Sequence, residues 1–274
     1  MNSESIESQP IIMKPLLQLN KTDFAGLYPL SPAVFDEDFD LPRISLYLRL
    51  WNGNFGEYDD SDIVFINYDL NRKIVVDSLK IAKGQDPRAF HNSKGEQCVV
   101  FNHTGMMLVY YPQKRELAYL PKGQEWEKNW SPIDGTDLFF YALTPHHKIF
   151  NPFIQGVPRN VEIGNIRGGT PFIKNPIGTG WIALAHTAER GEKKMTYQAV
   201  PCRYDREQLL FHQPIHSDLF FQHQSLRNGE LPYNWKSIVY PTCLIEHRGR
   251  HFVGVHLDDK ECLLAAIDIQ SVFK

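Results

Sequence analysis

The chain has 274 residues, 42% of them hydrophobic and 12% aromatic. A folded chain of this length removes roughly three quarters of its unfolded surface from water, which excludes disorder over most of the sequence and makes one domain the default. The formal net charge is −3. No run of Lys or Arg forms a stripe that could neutralise successive phosphates, so nucleic acid is not an expected partner, and a small neutral or anionic ligand fits better.

Residues 1–25 are polar and carry no sustained period, so they read as a flexible lead-in to a single domain spanning 26–274. The N-terminus has neither the basic region nor the apolar run of a secretory signal, and no stretch is long enough to span a bilayer; the expected location is the cytoplasm. From Leu27 onward the apolar runs are short and rich in β-branched and aromatic residues: 44–51, 62–70, 97–102, 106–111, 138–143, 181–186, 195–202, 238–245, 252–257 and 262–269. No long amphipathic helix competes with them, and 18 Gly and 18 Pro are spread evenly between them as turn punctuation.

The densest runs centre near Leu48, Phe101, Phe140, Leu184 and Gly254. Intervals of roughly 40 to 70 residues suit one four-stranded blade each. The expected fold is all-β, a five-bladed β-propeller, in which radial repetition manages the sheet edges; a β-sandwich with long insertions is the alternative.

Chemistry-bearing motifs of other kinds are absent. Cys98, Cys202, Cys243 and Cys262 lie far apart with no C-x-x-C pair, and read as buried reduced thiols. His212 and His216 flank Pro214, and His247 and His251 straddle the turn at Arg248-Gly249, so neither pair is expected to hold a metal. There is no phosphate-binding Walker loop, no G-x-G-x-x-G and no G-x-S-x-G, and no metal or other cofactor is expected.

What remains is a series of polar words at strand ends, about one per unit. They are Arg49-Leu50-Trp51-Asn52, Asp86-Pro87-Arg88, Lys128-Asn129-Trp130-Ser131-Pro132, Pro145-His146-His147, Arg167-Gly168-Gly169-Thr170, His186 and Asp258-Asp259. In a propeller such ends converge on one funnel, as a site built from several blades requires. The Asp86-Pro87-Arg88 word reads as a turn, because proline disfavours a helical Asp86. Its functional reading makes Asp86 a proton donor tuned by Arg88 and burial. Lys128, Asn129 and a histidine can hold a phosphate or sugar hydroxyls while Trp130 stacks on a sugar ring; the plain reading is a solvated lysine, a core tryptophan and a satisfied histidine. Gly168 and Gly169 either admit a ligand close to the backbone or start a strand after a tight turn.

Taken in order, these words resemble the five-bladed propellers of glycoside hydrolase family 130, which are mannoside phosphorylases and hydrolases, and the related β-1,2-mannosyltransferases. The resemblance runs from about Pro29 to the C-terminus. It implies that Asp86 is the general acid of an inverting reaction, that Lys128 and His146 hold phosphate, that Arg49 faces the site, and that Asp258 or Asp259 binds sugar. The Tyr-Gly that precedes this aspartate in the family is missing here. Reaction at an anomeric centre needs an acid and an anion-holding patch if a phosphorylated donor takes part, and a second carboxylate if water attacks. The cations and amides are plain in the sequence and a second acid is not. The expected function is therefore transfer of a mannosyl-like unit to or from inorganic phosphate or a sugar phosphate. The catalytic residue is Asp86, with Arg49, Asn52, Arg88, Lys128, Asn129, Trp130, His146, Arg167, Gly169, Thr170, His186 and Asp259 around the substrate. A glycan-binding propeller without activity and a glycoside hydrolase are the alternatives.

Overall fold

The structure is a computed structural model and describes residues 12–36, 42–54, 60–122, 127–187, 189–190, 195–215, 239–257 and 259–273. Strand β1 (Ile12–Leu19) precedes a single 3-10 turn at Lys21–Phe24, capped by Asn20. The first blade is β2 (Tyr28–Ala33), β3 (Arg43–Trp51), β4 (Asp62–Asp69) and β5 (Ile74–Lys83). The second is β6 (Gln85–His91), β7 (Gln97–His103), β8 (Met106–Tyr111) and β9 (Glu116–Tyr119). Three short strands make the third: β10 (Ser131–Pro132), β11 (Phe139–Ala142) and β12 (Lys148–Phe150).

In the fourth blade β13 (Ile166–Arg167) and β14 (Ile173–Lys174) both pair with β15 (Trp181–Thr187). A small hairpin, β16 (Glu189–Arg190) with β17 (Met195–Thr196), follows β15, and β18 (Ala199–Asp205) and β19 (Gln208–Phe211) complete the sheet. The fifth blade is β20 (Val239–His247), β21 (Arg250–Leu257) and β22 (Glu261–Ile267), followed by one helical turn, α1 (Ile269–Val272). All ladders are antiparallel within a blade. The architecture is a five-bladed β-propeller, and the five densest apolar runs of the sequence fall one per blade, in β3, β7, β11, β15 and β21.

Burial follows position in the blade. The inner strands β2, β6 and β20 are nearly buried throughout, whereas the outer strands β5 and β9 are largely exposed and β19 alternates. An inner strand is flanked by neighbouring blades, so both faces leave water. An outer strand has an unpaired edge, and β5 blunts it with Lys80 and Lys83, which pair with Asp62.

Five apolar clusters lie between blades, one at each junction. Phe101 and Leu108 of the second blade meet Ala33, Tyr47 and Ile63 of the first. Trp130, Phe139 and Phe150 of the third meet Phe90, Val100 and Val109 of the second. Phe140 and Leu143 pack on Phe172, Ala183 and Val200, and Ile182 and Leu184 on Val239, Val253 and Leu263. The fifth junction joins the last blade to the first, with Cys243, Phe252 and Leu264 against Ile44, Leu46 and Ile66. Five junctions for five blades make a closed ring. The four cysteines are free and buried; burial pushes the Cys98, Cys202 and Cys243 thiols up to about 12.

The domain boundary drawn at residue 26 leaves out a structural strand. Strand β1 pairs with β22 from Ile12↔Ile267 to Leu19↔Cys262, so the two ends of the chain share the fifth blade. Leu17 and Leu19 are buried in the junction between the last blade and the first. Removing a fully buried leucine costs about 2–5 kcal/mol. Leu19→Ala is expected to lower the denaturant midpoint accordingly at unchanged slope, and a midpoint equal to wild type would show that β1 does not hold the ring.

Candidate active site

The Asp86-Pro87-Arg88 word is not a free turn. It lies inside β6, where the pairing with β7 shifts register between Gln85 and Arg88. In that bulge Asp86 takes a left-handed φ of 53°, a conformation that costs an ordinary L-residue roughly 1–2 kcal/mol. The bulge aims the Asp86 carboxylate and the Arg88 guanidinium inward, and both are buried.

Four side chains from other segments meet the carboxylate. Ser31 Oγ of β2 donates to Oδ1 at 3.2 Å, and Arg49 Nη1 of β3 lies 3.7 Å from the same oxygen. Lys128 Nζ, in the segment before β10, is 3.6 Å from Oδ2, and the Tyr240 hydroxyl of β20 is 3.4 Å from it. Burial pushes the Asp86 carboxyl up, but Lys128, Arg49 and Arg88, in that order, outweigh it. The group is held well below the usual carboxylate range and stays ionised.

Arg88 is committed to the framework. Its Nε donates to the Gly169 carbonyl, Nη1 to the Asp86 carbonyl at 3.0 Å, and Nη2 to the Gly168 carbonyl at 3.3 Å and the Tyr240 hydroxyl at 3.1 Å. One planar fork thus ties the second blade to the fourth and fifth. The glycines permit that approach: a Cβ on Gly168 would sit 2.2 Å from the Asn129 carbonyl oxygen, and one on Gly169 2.2 Å from that of Leu184. Tyr240 donates to Asn129 Oδ1 at 2.8 Å; burial, then the nearby Asp86 charge, raise its phenol well above its ordinary value, so it stays protonated.

A cavity of about 70 Å³ opens on this group, lined by Asp86, Lys128, Asn129, Arg167, His186, Tyr197, Tyr240, His256 and Asp259. Burial, then the Arg88 charge, hold His186 well below 6.5, so it is a neutral imidazole. Its Nδ1 is buried and has no hydrogen-bond partner among the described residues. A second cavity of about 290 Å³ shares Lys128, Asn129 and Arg167 and is otherwise lined by Tyr141, Ala142, Leu143, Ile163, Ile166 and Gly168. Two cations therefore face a chamber whose inner end is a carboxylate.

Six residues expected at the site, Asp86, Lys128, Asn129, Arg167, His186 and Asp259, line the first cavity. Asp258 lies outside the described residues. Arg49 is fully buried behind Asp86, with Nε donating to Ser61 Oγ at 2.9 Å. Trp130 is a core residue, its ring against Phe150 and its Nε1 donating to Glu127, so it has no face for a sugar. Thr170 is fully buried, and its hydroxyl bridges Pro171 and Leu184. Asn52 is exposed and accepts from the Asn54 amide. His146 is exposed between β11 and β12 and lines neither cavity.

Tyr197, Tyr240, His256 and Ser31 were not expected. Tyr240 and His256 sit inside apolar runs that read as core, and Ser31 lies in none of the polar words at strand ends. Only the strand-end position of Tyr240 and His256 hints at the funnel.

The whole fold is shared with solved carbohydrate-active proteins. A β-1,2-mannobiose phosphorylase from Listeria innocua superposes at TM-score 0.57 with 13% identity over 97% of this chain and 96% of that one. A glycosyl hydrolase from Bacteroides ovatus gives 0.57 with 10% identity over 96% and 93%. A structure from work on mannoside phosphorylases of glycoside hydrolase family 130, a family containing hydrolases that target β-1,2 mannosidic linkages in Candida mannan, gives 0.60 with 11% identity over 98% and 97%. At these identities the likeness is one of fold. No family model matches the chain, and no curated protein matches it.

His186 and Asp86 act in different pH windows. His186 has a lowered folded value, so the unfolded chain binds its proton first, and stability falls as pH drops below about 6.5. Asp86, lowered from 3.8, keeps its contribution above that value and loses it only in stronger acid. Between pH 7 and 5, denaturation curves of His186→Gln should show a shallower loss of stability than wild type, the remainder coming from His251, which burial also lowers. Parallel curves would contradict a buried neutral His186.

Proposed function

We propose that this protein is a carbohydrate-active enzyme that transfers a mannosyl-like unit between phosphate and an acceptor hydroxyl, with Asp86 as the proton-handling group. The observation that carries the reading is one cavity holding a buried carboxylate, Asp86, beside the cations Lys128 and Arg167. Fold likeness to a mannobiose phosphorylase supports the same chemistry.

The electrostatics favour a direction. A carboxylate kept ionised by Lys128, Arg49 and Arg88 is a base in the ligand-free site. In synthesis, a sugar 1-phosphate lies with its phosphate on Lys128 and Arg167. The acceptor oxygen attacks the anomeric carbon as its proton passes to Asp86, the bond to phosphate breaks, and the departing charge is held by the same cations. The single displacement inverts the anomeric centre. In phosphorolysis the proton runs the other way, from Asp86 to the glycosidic oxygen. Asp86 can then acquire that proton only once phosphate shares the cations that hold it ionised. Arg49 and Arg88, buried behind the cavity, act on Asp86 rather than on the donor, and Arg167 and His186 take the place of His146 beside the phosphate.

Incubation with mannose 1-phosphate and a panel of mannosides is expected to release inorganic phosphate. Asp86→Asn should lower kcat by about 10²–10⁴-fold, the usual contribution of a general acid or base; turnover untouched by that change removes Asp86 from its role. Glycan affinity by calorimetry with no turnover across the panel would instead identify a binding propeller.

Anion binding has its own readout. Inorganic phosphate should raise the melting temperature, with a logarithmic dependence on its concentration above Kd. Lys128→Ala should abolish most of that rise, and an equal rise in the variant would place phosphate elsewhere.

A second reading has one specific support. Asp259 lines the same cavity as Asp86, which supplies the second carboxylate that attack by water requires. Release of free mannose from β-1,2-mannobiose in phosphate-free buffer would favour hydrolysis.

A further inference from the structure

A string of hydrogen bonds leads away from Asp86 on the side opposite Lys128. Ser31 Oγ lies 3.2 Å from Asp86 Oδ1 and 3.0 Å from His256 Nδ1. The other ring nitrogen of the same histidine, Nε2, is 3.3 Å from Asp259 Oδ1. The string joins β2, β6 and β21 and ends in the turn after β21, so it crosses from the first blade to the second and fifth.

In order of residue type this is a serine, a histidine and an aspartate, the arrangement of a nucleophile with its base. Burial rules that use out. Ser31 has no exposed surface and lines neither cavity, whereas Asp86, His256 and Asp259 all line the first. The hydroxyl cannot reach a substrate; it can reach only the two groups on either side. It has one hydrogen for two acceptors, Asp86 Oδ1 and His256 Nδ1, and a hydroxyl so placed can accept from one side while donating to the other.

The backbone pays for this alignment at three of the four members. Ser31, Asp86 and Asp259 have φ of 51°, 53° and 52°, left-handed values for residues other than glycine. Strain of that kind persists where the surrounding structure fixes a functional geometry. The imidazole is held as well: its ring stacks on Tyr240, with centroids 4.7 Å apart and planes 15° apart.

We propose that Ser31, His256 and Asp259 relay the proton that Asp86 takes from the acceptor. This rests on the proposed transfer reaction. Asp86 Oδ1 gives its proton to Ser31 Oγ as the Ser31 hydrogen passes to His256 Nδ1 and the Nε2 hydrogen passes to Asp259 Oδ1. Each O–H or N–H bond broken is matched by one formed. Asp86 is left a carboxylate, Ser31 a hydroxyl, His256 with its ring hydrogen moved from Nε2 to Nδ1, and Asp259 a carboxylic acid. The Asp259 side chain is 13% exposed against 5% for Asp86, so the proton ends at the wetter terminus and Asp86 is ready for the next acceptor. Ser31 and His256 are positioning residues acting through Asp86. The groups facing His256 are Ser31 from β2, Asp86 from β6, Tyr240 from β20 and Asp259 from the turn after β21.

Ser31→Gly is the informative variant, because glycine accepts the left-handed backbone while the hydroxyl is lost with its CH2 group. With mannose 1-phosphate and an accepted mannoside, it should lower kcat by about tenfold or more with KM unchanged. It should also turn a curved dependence of rate on D₂O fraction into a straight one. Wild-type kcat and a still-curved D₂O dependence in Ser31→Gly, alongside a disabled Asp86→Asn, would overturn the relay and leave the transfer reaction standing. A substrate-free measurement decides the case in which no donor turns over. In ¹⁵N spectra of the histidine rings, Asp86→Asn should move the His256 resonances, and should no longer do so when Ser31 is already glycine. No movement, or equal movement in both backgrounds, overturns the relay.

Discussion

The centre of this molecule is a buried carboxylate that its surroundings keep charged. Taking an ionised group out of water is costly unless it is paired and hydrogen-bonded. Asp86 meets that condition with Arg49, Lys128, Ser31 and Tyr240 drawn from four separate segments. Arg88, from the same strand, spends its fork on carbonyls of the second and fourth blades and on Tyr240. The charge cluster and the meeting of the blades are thus one feature: without the ring there is nothing to satisfy Asp86, and without Asp86 three cations face each other unbalanced.

The ring supplies this convergence through the ordinary rules of sheet packing. Each inter-blade junction is an apolar layer, and β1, paired with β22, adds Leu17 and Leu19 to the last of them. Inner strands, buried on both faces, have nowhere to direct polar groups except the mouth of the funnel. The bulge in β6 then turns one carboxylate into that space, and close backbone packing at Gly168 and Gly169 brings the fourth blade near enough for Arg88 to reach it.

Much of the fold was legible because the middle strands of each blade are short, doubly buried apolar runs. Each of the ten expected runs contains a strand or part of one among the described residues. The strands that were not legible fail for physical reasons. β5 and β9 are exposed and carry no buried face, β10, β13 and β14 are two residues long, and the partner of β1 lies at the other end of the chain. The site divides in the same way. Asp86, Lys128 and Asp259 stood out as polar words at strand ends, and they share a cavity. Trp130, Thr170 and Arg88 also stood out, but their polar atoms are spent inside the protein, a fact no spacing reveals. Tyr240, His256 and Ser31 act only through what the ring brings beside them.

Carboxyl ¹³C NMR reads the ionisation of Asp86 directly. In the ligand-free protein the resonance should remain that of a carboxylate from pH 8 to below the ordinary aspartate value of 3.8, and saturating inorganic phosphate should move its titration upward. A carboxyl that titrates at or above 3.8 without ligand, or one that phosphate leaves unmoved, would contradict the account.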